Sequence, residues 1–294
     1  MRLSLEGTLV KPEPVILRFA PSIPLGPEPV LDVEHYRDLG YTHFDVICIG
    51  GGGGMGGGID TANTGTLVRS YGGAGGGGGF HRVHGLLSAL PDSVPIVVGH
   101  GGTLGAEHAS DPANCTDGGD GGASTFNATT CRASGGKGGK KVSTNAWPPV
   151  VFNGDGGEGG VGNRTPAGGG AVGGVAATST VAGTDGQDGT IFQNIGKGGG
   201  GGAGGVGKYG SPGVTGLAAT NGGRGSYNPS DTSVYGPGDA VGDDSPSGAK
   251  KIVPGGASGA KASPVTGLPT VYGQSAGKRI VSQDGVVVVK LEAR

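Results

Sequence analysis

Apolar residues along this chain fall into short clusters, most of them bounded by glycine or proline. The clearest is His43 to Ile49 (HFDVICI), a β-branched, apolar stretch that reads as a strand and runs straight into a block of glycines. Val15 to Phe19 (VILRF), Thr66 to Tyr71, Phe80 to Leu87 and Val94 to Val98 read the same way. The last such segment, Gly285 to Glu292, carries four consecutive valines and is the strongest strand signal in the chain. Left alone, such a strand offers open backbone groups to any other chain, so it needs a partner. HFDVICI is the best available, and that pairing would close the two ends of the glycine-rich region on each other. One short helix is expected over Asp32 to Leu39, with Asp32 capping its start and Gly40 ending it. Ahead of it, Pro21, Pro24, Pro27 and Pro29 enforce extended backbone.

Composition changes this picture in the interior. Glycine fills 72 of 294 positions and is concentrated in runs. Gly50 to Gly58 is interrupted only by Met55, Gly72 to Gly79 only by Ala74, and Gly198 to Gly207 only by Ala203 and Val206. Glycine loses the most backbone entropy on folding and brings no side chain to bury, so ordinary helices and sheets are excluded there. Such runs are either disordered or fold by packing backbone against backbone. A period of three favours the second. It runs from Gly198 through Gly201, Gly204, Gly207, Gly210 and Gly213 to Gly216, and recurs at Gly72, Gly75 and Gly78, at Gly154, Gly157 and Gly160, and at Gly183, Gly186 and Gly189. Three residues per turn is the repeat of the left-handed extended helix. The runs are short and drop out of phase, and Pro212 is the one proline in the longest, which favours a side-by-side bundle over a collagen-like trimer. The expected fold is therefore mostly β and irregular: short strands pairing the two ends of a glycine-rich domain, with a bundle of polyglycine II-type helices between them.

The order of these pieces carries a resemblance. His43–Gly58, Gly72–Phe80, Val94–Gly102 (VPIVVGHGG with Pro95), Gly118–Phe126, Gly135–Gly139 and Asp284–Arg294 together resemble the glycine-rich domain of bacteriophage tail proteins. The resemblance covers residues 43–294, and residues 1–42 are left as a proline-rich docking segment with a short helix. It implies a virion structural protein, a minor tail protein at the tail tip or tail fibre. The helices would form a platform, and the loops at one end would recognise a host glycan or protein. Implied partners are other tail-tip proteins and, from the habit of tail tips, further copies in a homotrimer. The alternative is a bacterial cell-envelope glycine-rich surface protein of the actinobacterial type, whose GGAGG repeats resemble Gly201–Gly205; the proline-rich start differs from the helical targeting domain of those proteins. A disordered linker is opposed by the strong terminal strands.

Candidate chemistry is sparse. The net charge of −2 provides no basic stripe for nucleic acid. No apolar stretch approaches the length of a membrane span, and the start lacks the pattern of a signal peptide, which fits assembly into a particle released by lysis. Glycine-rich phosphate loops are matched trivially by the glycine runs, but none is followed by Lys-Ser or Lys-Thr and a helix-forming segment. Calcium loops and nucleophile turns are absent from the sequence, so neither a cofactor nor a metal nor an enzyme activity is expected. His81 and His84 fall on opposite faces of one strand, and Asp117 with Asp120 lacks the tandem repeat of a calcium site. Lys140-Lys141 reads as solvated loop charge. Cys48 reads as a buried small apolar residue, whereas Cys115 and Cys131, both in loop-like sequence, are candidates for a disulfide. The expected loops are Thr103–Asp117, Thr125–Ser134, Val142–Asn153, Ala176–Asp185 and Ser226–Ser233. In or beside them lie Trp147, Phe152, Tyr227 and Tyr235, candidates for receptor contact because aromatics with a polar edge suit contact surfaces. For Trp147, followed by Pro148 and Pro149, packing of its loop onto the scaffold is the competing role.

Overall fold

The computed structural model describes residues 2–3, 9–19, 29–61, 68–70, 72–73, 75–108, 112–144, 151–152, 157–158, 160, 191–192, 195–196, 206–208, 282 and 284–294. In chain order the strands are β1 (Arg2–Leu3), β2 (Leu9–Val10), β3 (Val15–Phe19), β4 (Val30–Asp32), β5 (His43–Ile49), β6 (Ile59–Thr61), β7 (Val68–Ser70), β8 (Phe80–Leu86) and β9 (Ser93–Val97). They continue with β10 (Ser124–Phe126), β11 (Cys131–Ala133), β12 (Ser143–Thr144), β13 (Val151–Phe152), β14 (Ile191–Phe192), β15 (Ile195–Gly196), β16 (Val206–Lys208) and β17 (Val286–Glu292). The one α-helix among the described residues, α1, spans Val33–Asp38. The chain is thus mostly strand and irregular backbone.

The closure expected from the sequence is present. β17 pairs antiparallel with β5 along its whole length, from Val286 opposite Ile49 to Glu292 opposite His43. β17 is not an edge, because β3 covers its other side with Leu17 opposite Val289. The six-stranded sheet runs β14-β15-β8-β5-β17-β3, and a four-stranded sheet runs β11-β10-β9-β4. β3 and β4 both come from the first 42 residues, so that segment is built into both sheets rather than standing apart. Its proline-rich part at residues 20–28 lies outside the described residues.

Strand alternation sends one set of side chains inward. Phe44, Val46 and Cys48 from β5 and Val287, Val289 and Leu291 from β17 meet Val94, Ile96, Phe126, Cys131 and Ala133 from the other sheet. The Phe44 and Phe126 rings lie 5.9 Å apart between centroids. The helix is capped as its sequence predicts: Asp32 accepts from the His35 amide, and Gly40 takes a φ of 90° just beyond its end. Arg37 then fixes the helix to the segment before β9, donating to the carbonyls of Leu87 and Leu90 and to the Asp92 carboxylate.

Thr125–Ser134, expected as a loop, is instead mostly a hairpin. Phe126 pairs with Cys131 across a four-residue turn in which Asn127 and Ala128 both have positive φ. The reading failed because the strands are only three residues long and the turn lacks glycine.

Where the sandwich meets the glycine runs, Ser124 is buried and holds two backbone groups at once. Its hydroxyl donates to the Ile49 carbonyl at 2.6 Å and accepts from the Gly99 amide at 3.0 Å. Removing it leaves both without this partner in a dry position, so Ser124→Ala is expected to destabilise the protein by about 1–3 kcal/mol. Urea unfolding of the purified variant measures this, and an unchanged midpoint would mean that the two groups find other partners.

Candidate functional site

Each glycine run continues a sandwich strand: β5 runs into Gly50, β9 reaches Gly99 through Val98, and β11 leads into Ser134 and Gly135. In the opposite direction Gly79 leads into β8, and Gly122 leads through Ala123 into β10. The runs are joined by backbone bonds that recur every third residue. The amides of Gly50, Gly53 and Gly56 donate to the carbonyls of Gly79, Gly76 and Gly73. Those of Gly51, Gly54 and Gly57 donate to Gly122, Gly119 and Thr116. In return, the carbonyls of Gly52, Met55 and Gly58 accept from Gly102, Gly105 and His108, and those of Gly51, Gly54 and Gly57 accept from Gly136, Gly139 and Val142. Residues 50–58 are therefore surrounded by four other runs, two antiparallel and two parallel.

Packing this close leaves no room for a Cβ at two of every three positions. A Cβ on Gly54 would lie 1.9 Å from the Thr103 carbonyl oxygen, and one on Gly53 would lie 2.0 Å from that of Lys137. The third position does accept a side chain, and Met55 occupies it, buried. In the outer runs the same third position carries Asp117 and Asp120 in one, and Lys137 and Lys140 in the other. They form a ladder: Lys137 Nζ lies 2.7 Å from Asp120, and Lys140 Nζ lies 2.9 Å from Asp117. Each carboxylate also accepts a backbone amide, Gly138 at Asp120 and Lys141 at Asp117. Partial burial works to raise both carboxyl pKa values, but the amides and ammonium groups outweigh it and hold both below the usual range. The pattern DGGDGG against GGKGGK was the available sign of this ladder. It is invisible to a search for metal or phosphate motifs, because the charges serve each other.

The runs alternate in direction, out from the sandwich and back. Their far ends meet around Gly58, Gly73, His108, Thr116 and Val142, which are linked to one another by backbone bonds to Gly57, Gly58, Ala106 and Lys140 or lie next to those that are. Three connections leave from there, at 59–71, 109–115 and 143–156. Cys115 closes this end by packing against Val142, with its thiol on the Gly58 carbonyl.

Several expected loops are shorter than their sequence suggests. Thr103–His108 and Thr116–Asp117 belong to the lattice, and Val142 ends a run before β12 and β13 pair Ser143 with Phe152. Phe152 is thus placed by its backbone in a hairpin at the far end, in the chain segment that contains Trp147. Trp147, Tyr227 and Tyr235 lie outside the described residues, as do the loops Ala176–Asp185 and Ser226–Ser233 and most of the Gly198–Gly216 series. The proposed Cys115–Cys131 disulfide is not formed. Both are free thiols in separate clusters, Cys115 at the far end of the lattice and Cys131 in the sandwich core. The lattice separates two residues that a loop reading places close together. His81 and His84 do fall on opposite faces, His81 buried and His84 exposed. Among the described residues no helix is long and apolar enough to cross a membrane, and no cluster of potential metal ligands occurs.

Adjacent positions in the central run should respond in opposite ways. Gly54→Ala is expected to cost upward of about 3 kcal/mol, because backbone must move to admit the methyl group, whereas Met55→Leu should cost less than about 1.5 kcal/mol. Thermal unfolding of both variants checks the contrast, and equal losses would contradict the phase rule. The ladder predicts a pH effect of definite sign. Both folded-state pKa values are lowered, so the stabilisation is present above the ordinary aspartate range and is lost as pH falls through the depressed values. Amide exchange at Gly138 and Lys141 should accelerate on acidification, relative to neighbouring amides and after correction for intrinsic rates; Asp120→Asn should remove that pH dependence at Gly138.

Neither a known family model nor a curated protein matches this chain.

Proposed function

We propose that this chain is a structural protein of a phage tail tip, in which a polyglycine II bundle carries adhesive loops away from a β-sandwich base. The three-residue period of the backbone bonds, in both parallel and antiparallel pairs, supports the bundle, because a helix of three residues per turn repeats its donors and acceptors at that interval. The observation that carries the functional reading is the alternation of run directions, which puts the ends of three connections together at the far end of the lattice. Loops held on a backbone-bonded frame can change sequence without disturbing it, as an adhesin requires. Host glycan or protein would be met there, and neighbouring tail proteins would be met at the sandwich.

The outer face of the sandwich carries paired charges. An outward-facing charged cluster of the six-stranded sheet joins Arg82 to Asp45 in a two-pronged pair, with Lys290, Glu292 and Arg294 beyond it. These are mutually compensated surface charges. They suit a wall that contacts protein neighbours.

Binding of the purified protein to a panel of bacterial cells, competed by isolated cell-wall glycans, tests the reading. Replacing Trp147, Phe152, Tyr227 and Tyr235 by Ala together is expected to weaken binding by about tenfold or more. Undiminished binding after replacement of the connections at 59–71, 109–115 and 143–156 by Gly-Ser segments would overturn the assignment of adhesion to the far end.

A further inference from the structure

Cys48 and Cys131 stand 83 residues apart in sequence but meet in the sandwich core. Cys48 lies on β5 of the six-stranded sheet, and Cys131 opens β11 of the four-stranded sheet, so they approach from opposite layers. The Cys48 thiol donates to the Cys131 carbonyl oxygen at 3.5 Å, and both residues belong to one buried cluster. β8 holds the second cysteine in place. Cys131 Sγ lies 3.2 Å from the His81 carbonyl, and the Arg132 amide donates to His81 Nδ1 at 3.1 Å. Both cysteines are fully buried, with relative exposures of 0%. Each thiol thus meets a carbonyl of another strand, and two cysteines of different sheets come together in one packed core.

We propose that Cys48 and Cys131 form an oxidisable pair that closes a covalent bridge between the two sheets when the protein encounters a peroxide. Hydrogen peroxide is the fitting oxidant class, since it is little larger than water and can reach a buried sulfur during small openings of the core. The Cys131 thiolate attacks one peroxide oxygen, the O–O bond breaks, and the departing hydroxide takes up a proton to leave as water. Cys131 is then a sulfenic acid. The Cys48 sulfur, losing its proton, attacks the Cys131 sulfur; the S–O bond breaks and the hydroxide leaves as a second water. Two thiols and one peroxide thus become one disulfide and two waters, the protein losing two electrons.

The surroundings favour this order of events. Burial opposes ionisation of both thiols, but at Cys131 the Cys48 thiol and the His81 ring outweigh it and bring the pKa down to about 6. At Cys48, burial and the neighbouring sulfur both push the pKa well above the ordinary range. Cys131 is therefore the attacking thiolate and Cys48 the resolving thiol. Cys115 lies in the separate cluster at the far end of the lattice and takes no part. The bridge would close a long loop of chain, constraining the unfolded state and tying the strands that feed the central run to those that feed an outer one.

The full-length protein, reduced and then treated with a small excess of hydrogen peroxide, provides the test. It is quenched, unfolded in an alkylating reagent, digested and mapped without reduction. The expected product is a linked pair of peptides containing Cys48 and Cys131, lighter by two hydrogens than the sum of the free peptides, with Cys115 alkylated. Cys115→Ser should give the same bridge. In both proteins the melting temperature should rise on oxidation and return on reduction, and in Cys48→Ala it should not rise. Recovery of Cys48 and Cys131 both alkylated, oxidation of Cys131 to sulfinic acid without a bridge, or a bridge through Cys115 would each overturn the proposal.

Discussion

The structure depends on backbone amides and carbonyls of neighbouring runs reaching each other directly, with nothing between them. In residues 50–58 this happens on four sides at once, so the backbone polar groups of a dry interior find partners without a helix or an ordinary sheet. The condition is steric. Where a neighbouring carbonyl oxygen would sit about 2 Å from an added Cβ, only glycine can stand. The entropy that glycine loses on folding is the cost of this arrangement. The repeating backbone bonds and the close contacts of the chains have to offset it, since few side chains are buried there.

A lattice of this kind has weak means of fixing its own register. One run of glycines slid by three residues along another makes almost the same bonds. The sandwich supplies what is missing. Its strands enter the lattice without interruption, so the pairing of Ile49 with Phe80 and with Val286 sets the positions of the runs that follow. Ser124, Ser282 and Asp284 then tie the first layer of runs to the sandwich and to the C-terminal strand through the Gly99, Gly102 and Gly101 backbone. At the outer surface the Asp117 and Asp120 ladder repeats the same registration in charge. Exposed pairs of this sort stabilise little, but a slip of three residues would leave an aspartate opposite the wrong lysine or opposite none.

Much of the fold was legible because its signals are local. Asp32 and Gly40 mark the helix, and the valines of β17 demand a partner, for which HFDVICI was the best available match; that β3 pairs with the other side of β17 was not foreseen. The triplet spacing of glycine at 72, 75 and 78 reported close packing on a three-residue period. What escaped notice was built from short or repetitive pieces. β10 and β11 are three residues each and look like loop, and the third-position charges look like solvated surface until the opposing run is known. The cysteines show the same limit: spacing in sequence suggested Cys115 with Cys131, while the core places Cys131 beside Cys48.

By itself, the sequence determined where the longer strands lie, that ordered glycine runs must pack by backbone, and that the strands bracketing the glycine-rich region should pair. These follow from side-chain volume, β-branching and the absence of a Cβ, which act within a few residues. Which runs become neighbours, which are parallel, and that their far ends collect in one place was decided by tertiary structure alone. Glycine is the same at every position, so it carries no information about its partner. That information resides in the sandwich strands to which each run is joined.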